Sequence, residues 1–162
     1  MFNNCTELIE TPVLNNLVYA WGAFKNCKKL VKSNVVNTNI RSAESCYENC
    51  VSLERIDGNF DNLQSADYLF YGCENLTSVP TSYPKLLFGA RMFAKCYKLS
   101  AVQLVEIINN IYDLRERPAM GISILTFPLK CKESNETKTY LETNYPAALA
   151  LATTKQWKIN YM

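Results

Sequence analysis

Apolar positions recur with a fixed period through the first 99 residues of the chain. Each unit carries an aromatic residue, a cysteine three positions later and a leucine three positions after that, as in FYGCENL at 70–76. Successive cysteines are 22, 23, 23 and 23 residues apart. The cysteines are Cys5, Cys27, Cys50, Cys73 and Cys96; the aromatics are Phe2, Phe24, Tyr47, Phe70 and Phe93; the leucines are Leu8, Leu30, Leu53, Leu76 and Leu99. This self-similarity predicts an α/β repeat solenoid with units that begin near residues 2, 24, 47, 70 and 93.

The segment after each cysteine is predicted to be a short strand, as in SLERID at 52–57 and NLTSVP at 75–80. Leu53 and Ile56 of the first segment would point inward, and the residues between them are free to vary. Strands of adjacent repeats would lie parallel and share one core, because a single unit cannot bury its apolar side alone. The aromatic residue and a small residue would sit in the returning limb, a short turn or irregular helix. The small residues are Ala20, Ala43, Ala66 and Gly89.

After Leu99 the period stops, and residues 100–162 are predicted to form a C-terminal capping region. Ser100 and Gln103 form a capping-box pattern at the start of a helix. The helical spacing of Leu104, Ile107, Ile108, Ile111 and Leu114 continues that helix, which Pro118 and Gly121 would end. A strand at 122–127, a polar loop at 130–138, a helix from Pro146 through 155 and a last strand at 157–161 complete the tail.

Composition narrows the function classes. The net charge of +2 gives no general attraction to nucleic acid, and no apolar run is long enough for membrane insertion. The first ten residues lack the basic and apolar regions of a secretory signal peptide. Histidine is absent, which removes Ser-His and Cys-His nucleophile pairs and the commonest metal ligand. We therefore expect no enzyme, no catalytic, cofactor-binding or metal-binding residues, and no cofactor.

The cysteines admit three interpretations. Their spacing does not fit a zinc site, and buried free thiols acting as small apolar groups are favoured for the repeat cysteines. A disulfide between neighbouring repeats stays open, because adjacent strands fall within bridging range. Cys46 stands outside the pattern at a position otherwise held by apolar residues and is expected in the core. Cys131 lies between Lys130 and Lys132, whose positive charges would favour the thiolate form of its side chain. A thiol enzyme that uses Cys131 is therefore a further functional hypothesis.

The segments MFNNCTELIETP, LFYGCENLTSVP and MFAKCYKLS resemble the BspA-like leucine-rich repeat family, whose units carry an aromatic, a cysteine and a leucine in this arrangement. The second and third units differ from it in lacking the proline after the strand. The tail is also similar to the end of many such arrays, with Lys155 and Trp157 in a Lys-x-Trp strand and Gln156 where glycine is usual. The resemblance implies a recognition module at a bacterial surface or in a gut bacteriophage.

A repeat protein binds partners mostly through the variable positions of its strands. With Thr11, Ser33, Ile56 and Val79 as an inward row, the neighbouring residues face outward. The outward residues form two columns: Glu10, Lys32, Arg55 and Ser78 in one, and Pro12, Asn34, Asp57 and Pro80 in the other. The candidate interaction surface consists of the whole first column together with Asn34 and Asp57 of the second. A basic run consists of Lys25, Lys28, Lys29 and Lys32, and a mixed charged surface explains it better than phosphate contacts do. A set of aromatic residues, Tyr71, Tyr83, Phe88 and Tyr97, could stack on sugar or protein.

Met1 and Phe2 align with Met92 and Phe93, so the first residues belong to the interior of a repeat. Its outer edge is expected to contact a larger assembly or a second copy. The first functional hypothesis is a non-catalytic module that binds protein or glycan. The second is a structural virion protein, a decoration or tail-associated subunit held by that edge.

Overall fold

The computed structural model describes residues 1–14, 16–35, 39–117 and 121–162. The repeat region contains two short strands, and the capping region contains the helices and a second pair of strands. In chain order the elements are β1 (Lys32–Ser33), β2 (Arg55–Ile56), α1 (Ala101–Asn110), a 3-10 turn (Leu114–Glu116), β3 (Ser123–Phe127), α2 (Thr137–Asn144), α3 (Pro146–Thr154) and β4 (Trp157–Tyr161).

The predicted parallel ladder after the cysteines is present but shorter than expected. β1 and β2 pair in parallel with Lys32 opposite Arg55, and single bridges extend the ladder to Glu10 and Ser78. The strands stop early because the Asn34 backbone N–H donates to the Thr11 hydroxyl at 2.8 Å instead of to a backbone carbonyl. The inward row is confirmed, since its four members, Thr11, Ser33, Ile56 and Val79, are all buried.

A second parallel ladder, which the sequence pattern does not reveal, runs along the returning limb. It consists of single bridges that join Tyr19 to Ser42, Ser42 to Ser65 and Ser65 to Phe88. The returning limb contains tight turns with a left-handed residue directly before each repeat cysteine, and a second left-handed residue five positions before each of the last four of these cysteines. Before the cysteines these are Asn4, Asn26, Asn49, Gly72 and Lys95, and earlier in the limb Gly22, Ser45, Tyr68 and Arg91. Asparagine and glycine tolerate this conformation better than other residues, so the turns account for their recurrence before the cysteines.

The repeat cysteines connect neighbouring units. The thiol of Cys50 donates a hydrogen bond to the carbonyl of Phe24 at 3.0 Å, and Cys73 donates to the carbonyl of Tyr47 at 3.0 Å. Cys27 and Cys96 make the same bond to Phe2 and Phe70, at 3.0 and 3.1 Å. All seven cysteines are free thiols, so the disulfide alternative is wrong for this structure.

The expectation of a buried thiol fails at Cys5 and holds at Cys46. Cys46 is buried, as its apolar position predicted. Cys5 is exposed, because it lies on the outer side of the first repeat, where no neighbouring unit covers it.

The aromatic rings of the repeats form one column through the core. Their centroids are 5.5, 5.5, 5.8 and 5.8 Å apart from Phe2 to Phe93, with interplanar angles of 2°, 9°, 11° and 22°. Phe127 of β3 follows at 6.4 Å with its plane tilted by 57°. The capping region therefore ends the column with a ring that no longer stacks face to face.

Burial suppresses ionisation in this core. It raises the pKa of Cys46 to about 12 and raises the pKa of Cys50, Cys73 and Cys96 above the ordinary thiol value of 9.0. Desolvation is the largest cause in each case, because a thiolate loses its hydration inside the protein. Tyr47 is affected in the same way. These groups are therefore neutral wherever the protein is folded at ordinary pH.

Helix α1 begins as predicted and ends earlier. Ser100 Oγ accepts from the Gln103 N–H at 3.2 Å and the Ser100 N–H donates to Gln103 Oε1 at 3.3 Å, which confirms the capping box. The helix ends at Asn110, not after Leu114, because Ile111 is extended and pairs with Tyr83. Pro118, which was expected to end the helix, lies outside the described residues.

The tail contains one more helix than expected. The predicted polar loop at 130–138 runs into α2 at Thr137, so the helix–strand–helix–strand prediction is wrong for this part. Cys131, expected in an exposed loop, is buried and lies in an antiparallel bridge with Ser134. Its place in the core removes the main argument for a reactive thiol.

The Lys-x-Trp sequence attaches the last strand to the end of α1. Lys155 Nζ donates to the carbonyls of Ile108, Asn109 and Ile111 at 3.3, 2.8 and 3.0 Å. Trp157 Nε1 donates to the Tyr112 carbonyl at 2.9 Å. Between them Gln156 has φ 63°, a left-handed value that glycine adopts without steric cost. The capping region is therefore fastened where the helix would otherwise leave unpaired carbonyls.

The thiol contacts predict a position-dependent effect of cysteine removal. Cys73→Ala should lower the free energy of unfolding by about 1–3 kcal/mol, because a void remains and the Tyr47 carbonyl, which also accepts from the Cys50 N–H, loses one of its two donors. Cys5→Ala, at the same position of the exposed first repeat, should change it by less than about 0.5 kcal/mol. Urea unfolding monitored by circular dichroism checks both, and equal effects would contradict the contact.

The raised thiol pKa values predict that stability falls in alkaline solution. A group with a raised folded-state pKa stabilises the fold fully below its unfolded value and loses this contribution as pH rises through the folded value. Stability should therefore decrease above pH 9, by about 1.4 kcal/mol per pH unit for each of Cys46, Cys50, Cys73 and Cys96, and for Cys46 up to about pH 12. Urea midpoints at about pH 8 and about pH 10 under reducing conditions measure this. The control, Cys46→Ala, should show a shallower decline; a decline unaltered by the substitution would refute the assignment.

Candidate functional site

The six residues expected to form an interaction surface lie together on the first ladder. We call this surface the strand face: Glu10, Lys32, Asn34, Arg55, Asp57 and Ser78. Lys32 pairs with Arg55 in β1 and β2, and Glu10 and Ser78 occupy the bridges on either side. Lys32 and Asn34 are half-buried and the other four are exposed. The alternation of inward and outward residues thus places the set where the sequence predicted it.

Ion pairs connect the strand face across repeats. Lys32 Nζ lies 3.7 Å from Glu10 Oε1 and 4.0 Å from Asp57 Oδ2. Arg55 Nε lies 3.5 Å from the same Asp57 oxygen. Asp57 thereby offsets the repulsion between Lys32 and Arg55, which stand directly opposite each other. The face is a mixed row of charges in which each repeat contributes a different side chain.

The basic run belongs to a mixed charged surface, as expected. Lys25 pairs with Glu48 at 2.8 Å, Lys29 pairs with Glu7 at 2.6 Å, and Lys32 belongs to the strand face. Each of these cations has a carboxylate from an adjacent repeat. This arrangement leaves no row of unpaired cations of the kind that contacts a phosphate backbone.

The four aromatics singled out from the sequence do not form one patch. Tyr83 is fully buried and stacks on Phe60, with ring centroids 6.1 Å apart. The ring of Tyr71 is covered by the ammonium group of Lys95 at 5.1 Å. Tyr97 is half-buried, and Phe88 is exposed on the second ladder. Of these four aromatics, Phe88 is therefore the one with an exposed ring on the second ladder.

Sequence reasoning missed an exposed aromatic pair at the start of the second ladder. Tyr19 is 62% exposed, Trp21 is 65% exposed, and their ring centroids lie 5.9 Å apart. The Trp21 indole N–H donates to the Ser42 hydroxyl, which directs its ring over the second repeat. The aromatic pattern of the sequence gave no signal here, because the corresponding positions of the other repeats are not all aromatic.

Two carboxylates lie beside this pair, one repeat apart. Glu44 Oε1 accepts a hydrogen bond from the Ser65 hydroxyl at 2.6 Å, and Asp67 Oδ1 accepts from the Ala90 N–H at 2.7 Å. Burial raises the pKa of Asp67, and the charge of Glu44 raises it further. Each carboxylate has a second oxygen available to an incoming donor.

Within the described residues, no group of histidine, cysteine, aspartate or glutamate has an arrangement that could hold a metal ion. The core thiols of four repeats donate to backbone carbonyls and carry raised pKa values. A buried neutral thiol is a poor nucleophile, since the thiolate is the reactive form. The recurring cysteines therefore act in packing.

None of the helices in the described parts of the chain has the length and apolar character needed to cross a bilayer.

Comparison with known proteins gives one match. The model of the BspA-type leucine-rich repeat region matches residues 1–115 in six copies. No curated protein and no solved structure matches the chain. The matched segment covers the repeats, α1 and the start of the following turn, and it includes every residue of the strand face. The chain belongs to the BspA-type leucine-rich repeat family.

Proposed function

We propose that the chain is a non-catalytic interaction module, a short leucine-rich-repeat solenoid that binds a protein partner through its strand face. The observation that carries this proposal is the contrast between the two sides of the first ladder. The inward row is uniformly buried, whereas the outward residues change in charge and size from one repeat to the next. Members of this family are typically surface-associated, and a bacterial cell surface or a phage virion is the setting we propose.

The charges of the strand face suit the recognition of a polar protein surface. Glu10, Lys32 and Arg55 occupy one column and Asp57 lies in the next, and their mutual ion pairs are largely exposed. Exposed pairs of this kind contribute only about 0–1 kcal/mol each, so a partner can exchange them for its own groups at little cost. A surface of mixed charges also selects partners by charge complementarity more than by apolar area.

A second candidate function is a structural virion protein held in a larger assembly through the outer side of the first repeat. The observation that favours it is the exposure of apolar side chains there. Met1, Ile9 and Val13 are 74%, 63% and 66% exposed, and Cys5 is exposed as well. Several exposed apolar side chains on one repeat are a feature of contact sites when they form one patch. A larger assembly or a second copy would bury it.

The strand-face proposal predicts a specific effect of charge reversal at Arg55. The immobilised full chain is presented with a panel of purified cell-surface and extracellular proteins, and any protein bound is titrated against variants. Arg55→Glu should weaken binding at least about tenfold, because an arginine at the centre of an interface commonly contributes about 1.4 kcal/mol or more to the binding free energy. The matched control is Arg115→Glu: both arginine side chains are 56% exposed and both pair with an aspartate two residues away. Equal weakening by both variants, or binding of no protein in the panel, would contradict the proposal.

The virion candidate predicts that the chain is found in many symmetric copies. Native mass spectrometry and light scattering of the purified chain should then show a defined oligomer, and Met1→Lys combined with Val13→Lys should dissociate it by placing charge on the apolar side. A monomer at all accessible concentrations would argue against self-association through this side.

A further inference from the structure

The second ladder presents a surface distinct from the strand face. We call it the aromatic–acidic strip, and its residues are Tyr19, Trp21, Glu44, Ser65, Asp67 and Phe88. Bridges join Tyr19 to Ser42, Ser42 to Ser65 and Ser65 to Phe88, so the strip crosses four consecutive repeats. At a strand spacing of about 4.8 Å, the backbones of Tyr19 and Phe88 are separated by about 14 Å. The strip is therefore a narrow surface with aromatic residues at both ends.

The aromatic ends are exposed and positioned. Tyr19 and Trp21 are 62% and 65% exposed, and Phe88 is 45% exposed. The hydrogen bond from the Trp21 indole to Ser42 fixes one ring, and the edge contact between Tyr19 and Trp21 fixes its neighbour. Since these rings are already ordered, a ligand that stacks on them loses less conformational freedom on binding.

The middle of the strip is polar and acidic. Ser65 donates to Glu44 at 2.6 Å, and Asp67 accepts from the Ala90 N–H at 2.7 Å, so both carboxylates are held in place by one oxygen. Their remaining oxygens are acceptors. Arg41 and Arg91 border the strip, and the guanidinium of Arg91 lies over the Tyr68 ring at 5.2 Å. The charged groups of the strip itself are acceptors only, which favours a ligand rich in neutral hydroxyl donors over an anionic one.

We propose that the aromatic–acidic strip binds a neutral oligosaccharide of pyranose units. A pyranose ring presents C–H groups on its faces, which pack on aromatic rings, and hydroxyl groups on its edges, which donate to carboxylates. Hydrogen bonds to ionised acceptors are about twice as strong as neutral ones. A protein partner fits less well, because protein interfaces place their aromatic residues in the core and their polar residues at the rim, whereas here the carboxylates lie in the middle and the rings at the ends. The aromatic ends of the strip therefore match the C–H faces of the sugar, and the carboxylates in its middle match the sugar hydroxyl groups.

This site lies on the second ladder and does not use any strand-face residue. The two proposals therefore fail separately: Arg55→Glu should leave oligosaccharide binding unchanged, and loss of the sugar site should leave protein binding by the strand face unchanged. Of the two tryptophans in the chain, Trp21 is exposed and Trp157 is buried. The fluorescence of Trp21 can thus report directly on occupation of the strip.

The test is acrylamide quenching of the full chain in the presence of neutral oligosaccharides of glucose, xylose, mannose, galactose or N-acetylglucosamine, with hyaluronan and heparin oligosaccharides as anionic comparisons. At least one neutral oligosaccharide should protect Trp21 from quenching, and titration calorimetry should give the same affinity. Trp21→Ala and Glu44→Gln should each weaken binding at least about tenfold. Trp21→Phe, which keeps a ring, should weaken it less than Trp21→Ala.

Matched controls on other surfaces are Tyr97→Ala and Glu54→Gln, which should bind like the unmodified chain, with folding verified by circular dichroism for every variant. Failure of all neutral oligosaccharides to protect Trp21 would overturn the proposal. Preferential binding of hyaluronan or heparin would overturn the neutral class. If instead a protein of the panel loses affinity on Trp21→Ala while no oligosaccharide binds, the strip is a protein interface.

Discussion

Hydrogen bonds between equivalent positions of neighbouring repeats hold the array together. Backbone N–H groups donate to the next repeat, as from Phe24 to the Cys46 carbonyl at 2.8 Å, and a buried thiol donates to the carbonyl of the aromatic residue one repeat earlier. The thiol bond joins Cys27 to Phe2 and recurs at Cys50, Cys73 and Cys96 with almost the same length. Cysteine suits this place because it fills the volume of a small apolar residue and still carries a donor. Together these bonds keep the aromatic rings stacked and the two ladders aligned, so the surfaces of the repeat region depend on them.

The same dependence explains why the two ends of the array differ. At the last repeat the capping region supplies what another repeat would supply: Gly89 bridges Leu125 of β3, and the N–H of Phe93 donates to Thr126. The close approach requires glycine, because a Cβ on Gly89 would meet Leu125 at 2.9 Å. At the first repeat Cys5 is exposed. The capping region therefore reproduces at the last repeat the contacts that one repeat makes to the next.

Sequence determines most of the repeat region because the same contacts recur from one repeat to the next, four times for the thiol bonds and four times for the ring contacts. The period identifies the buried rows, and the phase of the inward row places Glu10, Lys32 and Arg55 outside. The second ladder was not predictable, since its members Tyr19, Ser42, Ser65 and Phe88 do not have one recurring side-chain type. The end of α1 was not predictable either: Ile111 continues the helical spacing, but it pairs with Tyr83, which is distant in sequence. Trp21, Glu44 and Asp67 are each held in place by a hydrogen bond to a residue of the next repeat. No local sequence pattern encodes such bonds.

The small angles between successive rings have a consequence for the shape of a ligand. From Phe2 to Phe70 the planes rotate by 2°, 9° and 11° from one repeat to the next. The aromatic side chains of these four repeats therefore keep nearly the same orientation from one repeat to the next. Equivalent positions of the two ladders recur at about 4.8 Å, the spacing of adjacent strands. A linear ligand of the proposed kind would meet successive positions of the strip at that interval.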